Sequence, residues 1–160
     1  MCVHGYFHKI GASSPEYPFV DAKLIIGDRY LGKVAFLIDT GAGATLIVYK
    51  DALRLGISTK TRGKKIKIVG ISGSEYAIAL QEPVILELLD YSTKTNNSGG
   101  ILSISLDSLQ IESSTYTRKL MRKESQSSLM TRPSLLGWDA LRNLKIVIDY
   151  KNKLIILCKD

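Results

Sequence analysis

The chain has 160 residues, 45% apolar and 23% charged, which is the composition of one globular domain with a real hydrophobic core. No apolar run approaches the ~18–20 residues that cross a bilayer as a helix, and residues 1–8 lack the basic region and long apolar stretch of a signal peptide, so the expectation is a soluble, cytoplasmic protein with no membrane partner. A net charge of +7 would suit an acidic partner, but the densest basic groups, residues 60–65 and 118–123, lack the interleaved aromatics of nucleic-acid binders, and no nucleic acid is expected as a partner.

Residues 1–22 read as irregular, with turns at Ser13-Ser14-Pro15 and Tyr17-Pro18. Residues 20–26 and 33–38 form two strands joined through Gly27-Asp28-Arg29-Tyr30-Leu31-Gly32. A short apolar run at 45–48 precedes a helix over 50–55, which Gly56 stops. Residues 64–69 alternate basic and apolar side chains, and 74–80 return, so this is a hairpin with Gly70 and Gly73 at its tip. Pro83 precedes a strand at 84–89.

From 90 to 132 the chain turns Ser-rich and basic, apart from an alternating stretch at 101–111. This segment reads as an insertion that the basic fold does not need, with 101–111 pairing onto the barrel as a strand and 113–131 mobile and near the active cleft. Residues 134–137 then lead into a short helix at 138–143. A closing hairpin, 146–149 with 153–157, follows around Tyr150-Lys151-Asn152.

The run Phe36-Leu37-Ile38-Asp39-Thr40-Gly41-Ala42 carries the chemistry. An apolar strand that ends in a carboxylate must satisfy it, because burying an unpaired charge costs several kcal/mol. Thr and Gly follow at once, giving a small hydroxyl and a backbone without Cβ, so Asp39 is delivered into a tight, partly dry turn. A carboxyl there is placed for acid–base work.

Three pieces in order, the Asp39 loop, the Gly-tipped hairpin and Leu135-Leu136-Gly137 with its helix, resemble the retroviral-type (retropepsin-like) aspartic proteases. Residues 36–47 resemble that family's active-site loop, 49–57 its helix and Leu-Gly segment, 67–74 its flap, and 134–141 its apolar-apolar-Gly signature. The resemblance implies a mainly β fold: a single-domain acid-protease β-barrel with one or two short helices, acting as a homodimer. Residues 1–19 would be an N-terminal extension, and 20–158 the protease domain carrying the insertion at 90–132.

It further implies an aspartic endopeptidase without cofactor or metal, acting on peptide or protein substrates. Asp39, Thr40 and Gly41 would be the catalytic residues. Ala42, Gly43, Ala44, Gly70, Ile71, Ser72 and Gly73 would bind substrate. The chain has a single Asp-Thr-Gly and about half the length of a two-lobed enzyme. The second carboxylate must then be Asp39 of another copy, as a two-fold dimer provides. The expected cleft is apolar, lined by Ile38, Ala44, Ile71 and residues near Leu136. Viral members usually have Asp at the position of Gly43 and Arg at that of Trp138, so the grip on the substrate backbone is expected to differ. The competing reading is a catalytically silent, peptide- or protein-binding dimer of the same fold.

Other features read as structural. His4 and His8, four apart, lack a third metal ligand. Tyr76 reads as an ordinary strand residue, Asp149 as a turn residue and Trp138 as core or interface. Cys2 and Cys158 read as reduced thiols, the alternative being a bond that ties the two ends together.

Overall fold

A computed structural model describes residues 1–58, 64–70, 73–93, 100–113 and 131–160. Two sheets carry the architecture. In the larger, β3 (Glu16–Ile26) and β4 (Arg29–Ile38) pair antiparallel around a two-residue turn, with Ile26 opposite Arg29. Gly27 takes φ +57° in that turn, a left-handed conformation that glycine adopts without steric cost. The turn is shorter than the six-residue connection expected from the sequence.

Along β3 and β4, alternate residues are buried: Val20, Ala22, Leu24 and Ile26 with Val34, Phe36 and Ile38. This is the period-2 pattern of a sheet with one face on the core. On one side, β3 pairs with β8 (Val84–Leu89), which pairs with β9 (Ile101–Leu106). On the other, β4 pairs in parallel with β11 (Ser134–Leu136). The path then continues through β5 (Leu46–Ile47) and β10 (Leu109–Glu112). It ends in the hairpin of β6 (Lys64–Gly70) and β7 (Gly73–Leu80). β2 (Tyr6–Lys9) adds to the far end of β3.

The smaller sheet holds β1 (Cys2–His4), β13 (Leu154–Cys158) and β12 (Lys145–Asp149), in the spatial order β1-β13-β12. The described residues also hold two short α-helices, α1 (Tyr49–Arg54) and α2 (Trp138–Leu141), and a 3-10 turn at Tyr91–Thr93. The protein is thus mainly β. The larger sheet is open, however: among the described residues no ladder joins β6 to β9, so the closed barrel expected from the sequence is not formed.

The N-terminal stretch departs from the sequence reading. Residues 1–22 contain β1, β2 and the start of β3 rather than irregular chain, and Val3 is fully buried. Residues 101–111 pair onto the larger sheet as expected, though as two strands, and Leu102, Ile104, Leu106, Leu109 and Ile111 belong to the main core. That part of the expected insertion therefore belongs to the fold. Residues 114–130, expected to be mobile, lie outside the described residues.

Cys2 and Cys158 face each other across β1 and β13 and are disulfide-bonded. This corrects the expectation of two free thiols: the pairing of the terminal strands puts both side chains at one register position.

Candidate functional site

Asp39 is the first residue after β4, where β4 runs beside β11 with Ile38 opposite Leu136. The Asp39 N–H donates to the Leu136 carbonyl at 3.1 Å, which carries the parallel ladder one step past the strand. The chain then turns sharply, and the Ala42 N–H returns to the Asp39 carbonyl at 3.2 Å. Inside this turn the Gly41 N–H donates to Asp39 Oδ1 at 2.9 Å. A Cβ on residue 41 would sit 3.3 Å from that same oxygen, so the glycine lets backbone and carboxylate approach. The tight, partly buried turn expected for Asp39 is present, while Thr40 and Gly41 are exposed.

The loop is bolted to the segment after β11. The Trp138 N–H donates to the Ala42 carbonyl at 2.7 Å. Thr45 is fully buried. Its hydroxyl accepts from the Gly137 N–H at 3.2 Å and donates to Asp139 Oδ1 at 2.7 Å. Asp139 Oδ1 also accepts from the Ala140 N–H at 2.8 Å. Gly137 makes the contact possible, since a Cβ there would lie 2.3 Å from the Ala44 carbonyl carbon. The Leu-Leu-Gly signature thus has a steric cause: two apolar residues pair with β4, and the glycine admits the backbone of the Asp39 loop.

Thr45 and Asp139 were absent from the sequence-derived set. A signal was present, because a threonine opening the apolar run 45–48 needs a buried partner. The sequence did not say that the partner lies ninety-four positions away.

The remaining expected site residues fall into three groups. Ala42 and Ala44 are half-buried in the loop. Gly43 is exposed, with nothing within 4 Å of where its Cβ would be. Gly70 and Gly73 pair across the end of the β6–β7 hairpin, as expected, while Ile71 and Ser72 at its tip lie outside the described residues. Ile38 and Leu136, expected to line a cleft, are 5% and 0% exposed and belong to the core. The alternation that sends Asp39 out of the sheet sends both of them inward.

Trp138 stands beside this loop. It is 54% exposed, and the Arg142 guanidinium lies 5.4 Å from its ring centroid. Among the described residues no three His, Cys, Asp or Glu side chains gather to hold a metal ion. His4 packs instead against Asp90, with Nδ1 3.0 Å from Oδ1. Asp149 accepts from the Asn152 backbone and side-chain N–H groups, and these bonds hold its pKa below the usual carboxylate range, as suits a turn residue.

No protein-family model matches the chain, and no curated protein matches its sequence. Among solved structures, that of a retropepsin-like aspartic protease from Rickettsia conorii is similar, with a TM-score of 0.50 and 17% identity over 98% of this chain and 89% of that one. The likeness covers nearly the whole chain and makes the fold retropepsin-like. At that identity it speaks for the fold alone.

Proposed function

We propose that the protein is an aspartic endopeptidase, active as a homodimer in which Asp39 of each copy meets at the two-fold axis. The observation that carries the reading is the Asp39 loop itself. A carboxylate leaves the end of a buried strand, Gly41 donates to one of its oxygens, and the segment 136–139 holds the loop from beneath. One chain supplies one such carboxylate. Two carboxylates about 3 Å apart cannot both ionise easily and share a proton, so a second copy completes the chemistry.

In this mechanism the ionised carboxylate takes a proton from a water lying between the pair, and the oxygen of that water attacks the scissile carbonyl. The protonated carboxyl gives its proton to the carbonyl oxygen. A tetrahedral diol forms with no covalent bond to the enzyme. Proton transfer to the leaving nitrogen then breaks the C–N bond, giving one carboxyl and one amino terminus. Thr40, exposed beside the axis, braces the two loops through its hydroxyl. Ala42, Gly43 and Ala44 flank the substrate backbone, and the hairpin tip from Gly70 through Ile71 and Ser72 to Gly73 folds over it.

The test is cleavage of a peptide library by the wild type and by Asp39→Asn, with the mass of the assembly measured for both. The reading predicts cleavage below neutral pH that disappears in the variant while the dimer persists. A dimer that binds peptides and cuts none would favour the silent alternative.

A further inference from the structure

The described residues contain a cavity of about 540 Å³ that includes no part of the Asp39 loop. This size lies in the range of ligand-binding clefts. It opens on the outer face of β3 and β4, opposite the core. The register puts Phe19, Asp21, Lys33 and Ala35 on that face together. Ala35 is exposed and small, so the floor is low there. His8 of β2 rises on one side, and Lys50 and Arg54 of α1 on the other.

The charges in this groove are unequally engaged. Asp21 accepts from the Tyr6 hydroxyl; burial first, and this bond second, push the pKa of that hydroxyl well above its ordinary value, so it remains a donor. Asp51 accepts from the Ser134 hydroxyl at 2.7 Å and from Arg54 at 3.2 Å. Arg54 also donates to the Lys33 carbonyl at 2.8 Å, which straps α1 to β4. Both carboxylates are thus occupied, while the Lys33 and Lys50 ammonium groups form no ion pair among the described residues. Two unpaired cations stand on separate elements above a floor that is apolar at Phe19 and Ala35. That suits carboxylates spaced along a chain better than one compact anion.

We propose that this groove docks an acidic stretch of polypeptide, at a site separate from the Asp39 loop. That the stretch belongs to the substrate rests on the endopeptidase reading; the binding itself does not.

The experiment titrates fluorescein-labelled hexaglutamate into the full-length Asp39→Asn protein and reads anisotropy, so loss of the endopeptidase reading leaves this arm standing. The proposal expects saturable binding, no binding of hexaglutamine, and an affinity at least about tenfold lower, or ~1.4 kcal/mol, in Lys33→Glu with Lys50→Glu. The pair Lys145→Glu with Lys151→Glu changes net charge equally outside the groove and should shift affinity by less than about twofold. Absence of saturation, or equal losses in the two double variants, would overturn the site. Displacement by millimolar inorganic phosphate as effective as by free hexaglutamate would overturn the peptide assignment in favour of a compact-anion site. In the wild type, a cleavable peptide with an appended Glu tract should show a several-fold lower KM than its Gln counterpart, and equal KM values would overturn the substrate role.

Discussion

Three positions around the Asp39 loop separate steric necessity from chemical choice. At Gly137 a methyl group would meet the Ala44 backbone at 2.3 Å, and backbone cannot swing aside as a side-chain tip can. Gly137→Ala should therefore cost about 1–3 kcal/mol in urea unfolding, and peptide cleavage should fall further than that loss explains, because the displaced segment is the loop itself. Gly43 is the opposite case, with open space around its Cβ position. Gly43→Asp should fold with stability within about 0.5 kcal/mol of the wild type and lower KM for short peptides by restoring a carboxylate beside the substrate backbone; an unchanged KM would argue against the placement of substrate at residues 42–44. Thr45→Val leaves the Gly137 N–H without its acceptor and Asp139 Oδ1 without one of its donors, in a fully buried setting. A loss of about 1–3 kcal/mol is expected, read by thermal unfolding, and Thr45→Ser should recover most of it.

At the scale of elements, two side-chain pairs hold strands in place. The β1 strand is short and is anchored by His4 to Asp90. Burial acts to raise the Asp90 pKa. Hydrogen bonds from the His4 N–H, the Ser92 hydroxyl and N–H, and the His4 ring outweigh it and hold the carboxyl below its usual range. A carboxyl depressed in the fold stabilises it fully above the unfolded pKa of about 3.9. That contribution is lost as pH falls from there through the folded value. The gap in melting temperature between wild type and Asp90→Asn should accordingly be wide at pH 6 and narrow progressively as pH falls below about 3.9; a constant gap would mean that Asp90 acts through shape rather than charge.

The second pair, Arg132 Nη1 to Glu112 Oε1 at 2.7 Å, closes the neck between β10 and β11. The other Glu112 oxygen accepts from the Tyr49 N–H and so caps α1 from a distance. Glu112 is 6% exposed as a side chain, so Arg132→Met, which removes its cation, should destabilise by about 3 kcal/mol in urea. Elements such as these mark the limit of what the sequence could tell. The β3–β4 and β12–β13 hairpins, the flap-like β6–β7 pair and the Asp39 turn were legible because alternation and glycine punctuation are local signals. The alternation at 101–111 was legible as strand, but not its break into β9 and β10, because β10 takes its place from β5 and β7, about sixty and thirty residues distant. The β1 strand was missed for the same reason: three residues carry no periodicity, and their partner is at the other end of the chain.

For the whole molecule, the Cys2–Cys158 bond joins residues separated by 156 positions. By the chain-entropy argument, closing so long a loop constrains the unfolded state by about 5 kcal/mol, an upper figure. Dithiothreitol should lower the melting temperature of the wild type and leave Cys2→Ser unchanged. Such bonds persist in oxidising surroundings. No described helix is long and apolar enough to cross a membrane. The central claim is the pairing of Asp39 across a homodimer, and a crystal structure of the assembled protein tests it most directly. The account predicts a two-fold dimer with the two Asp39 carboxylates about 3 Å apart. A stable assembly that holds them beyond the reach of one shared water, more than about 7 Å, would contradict it.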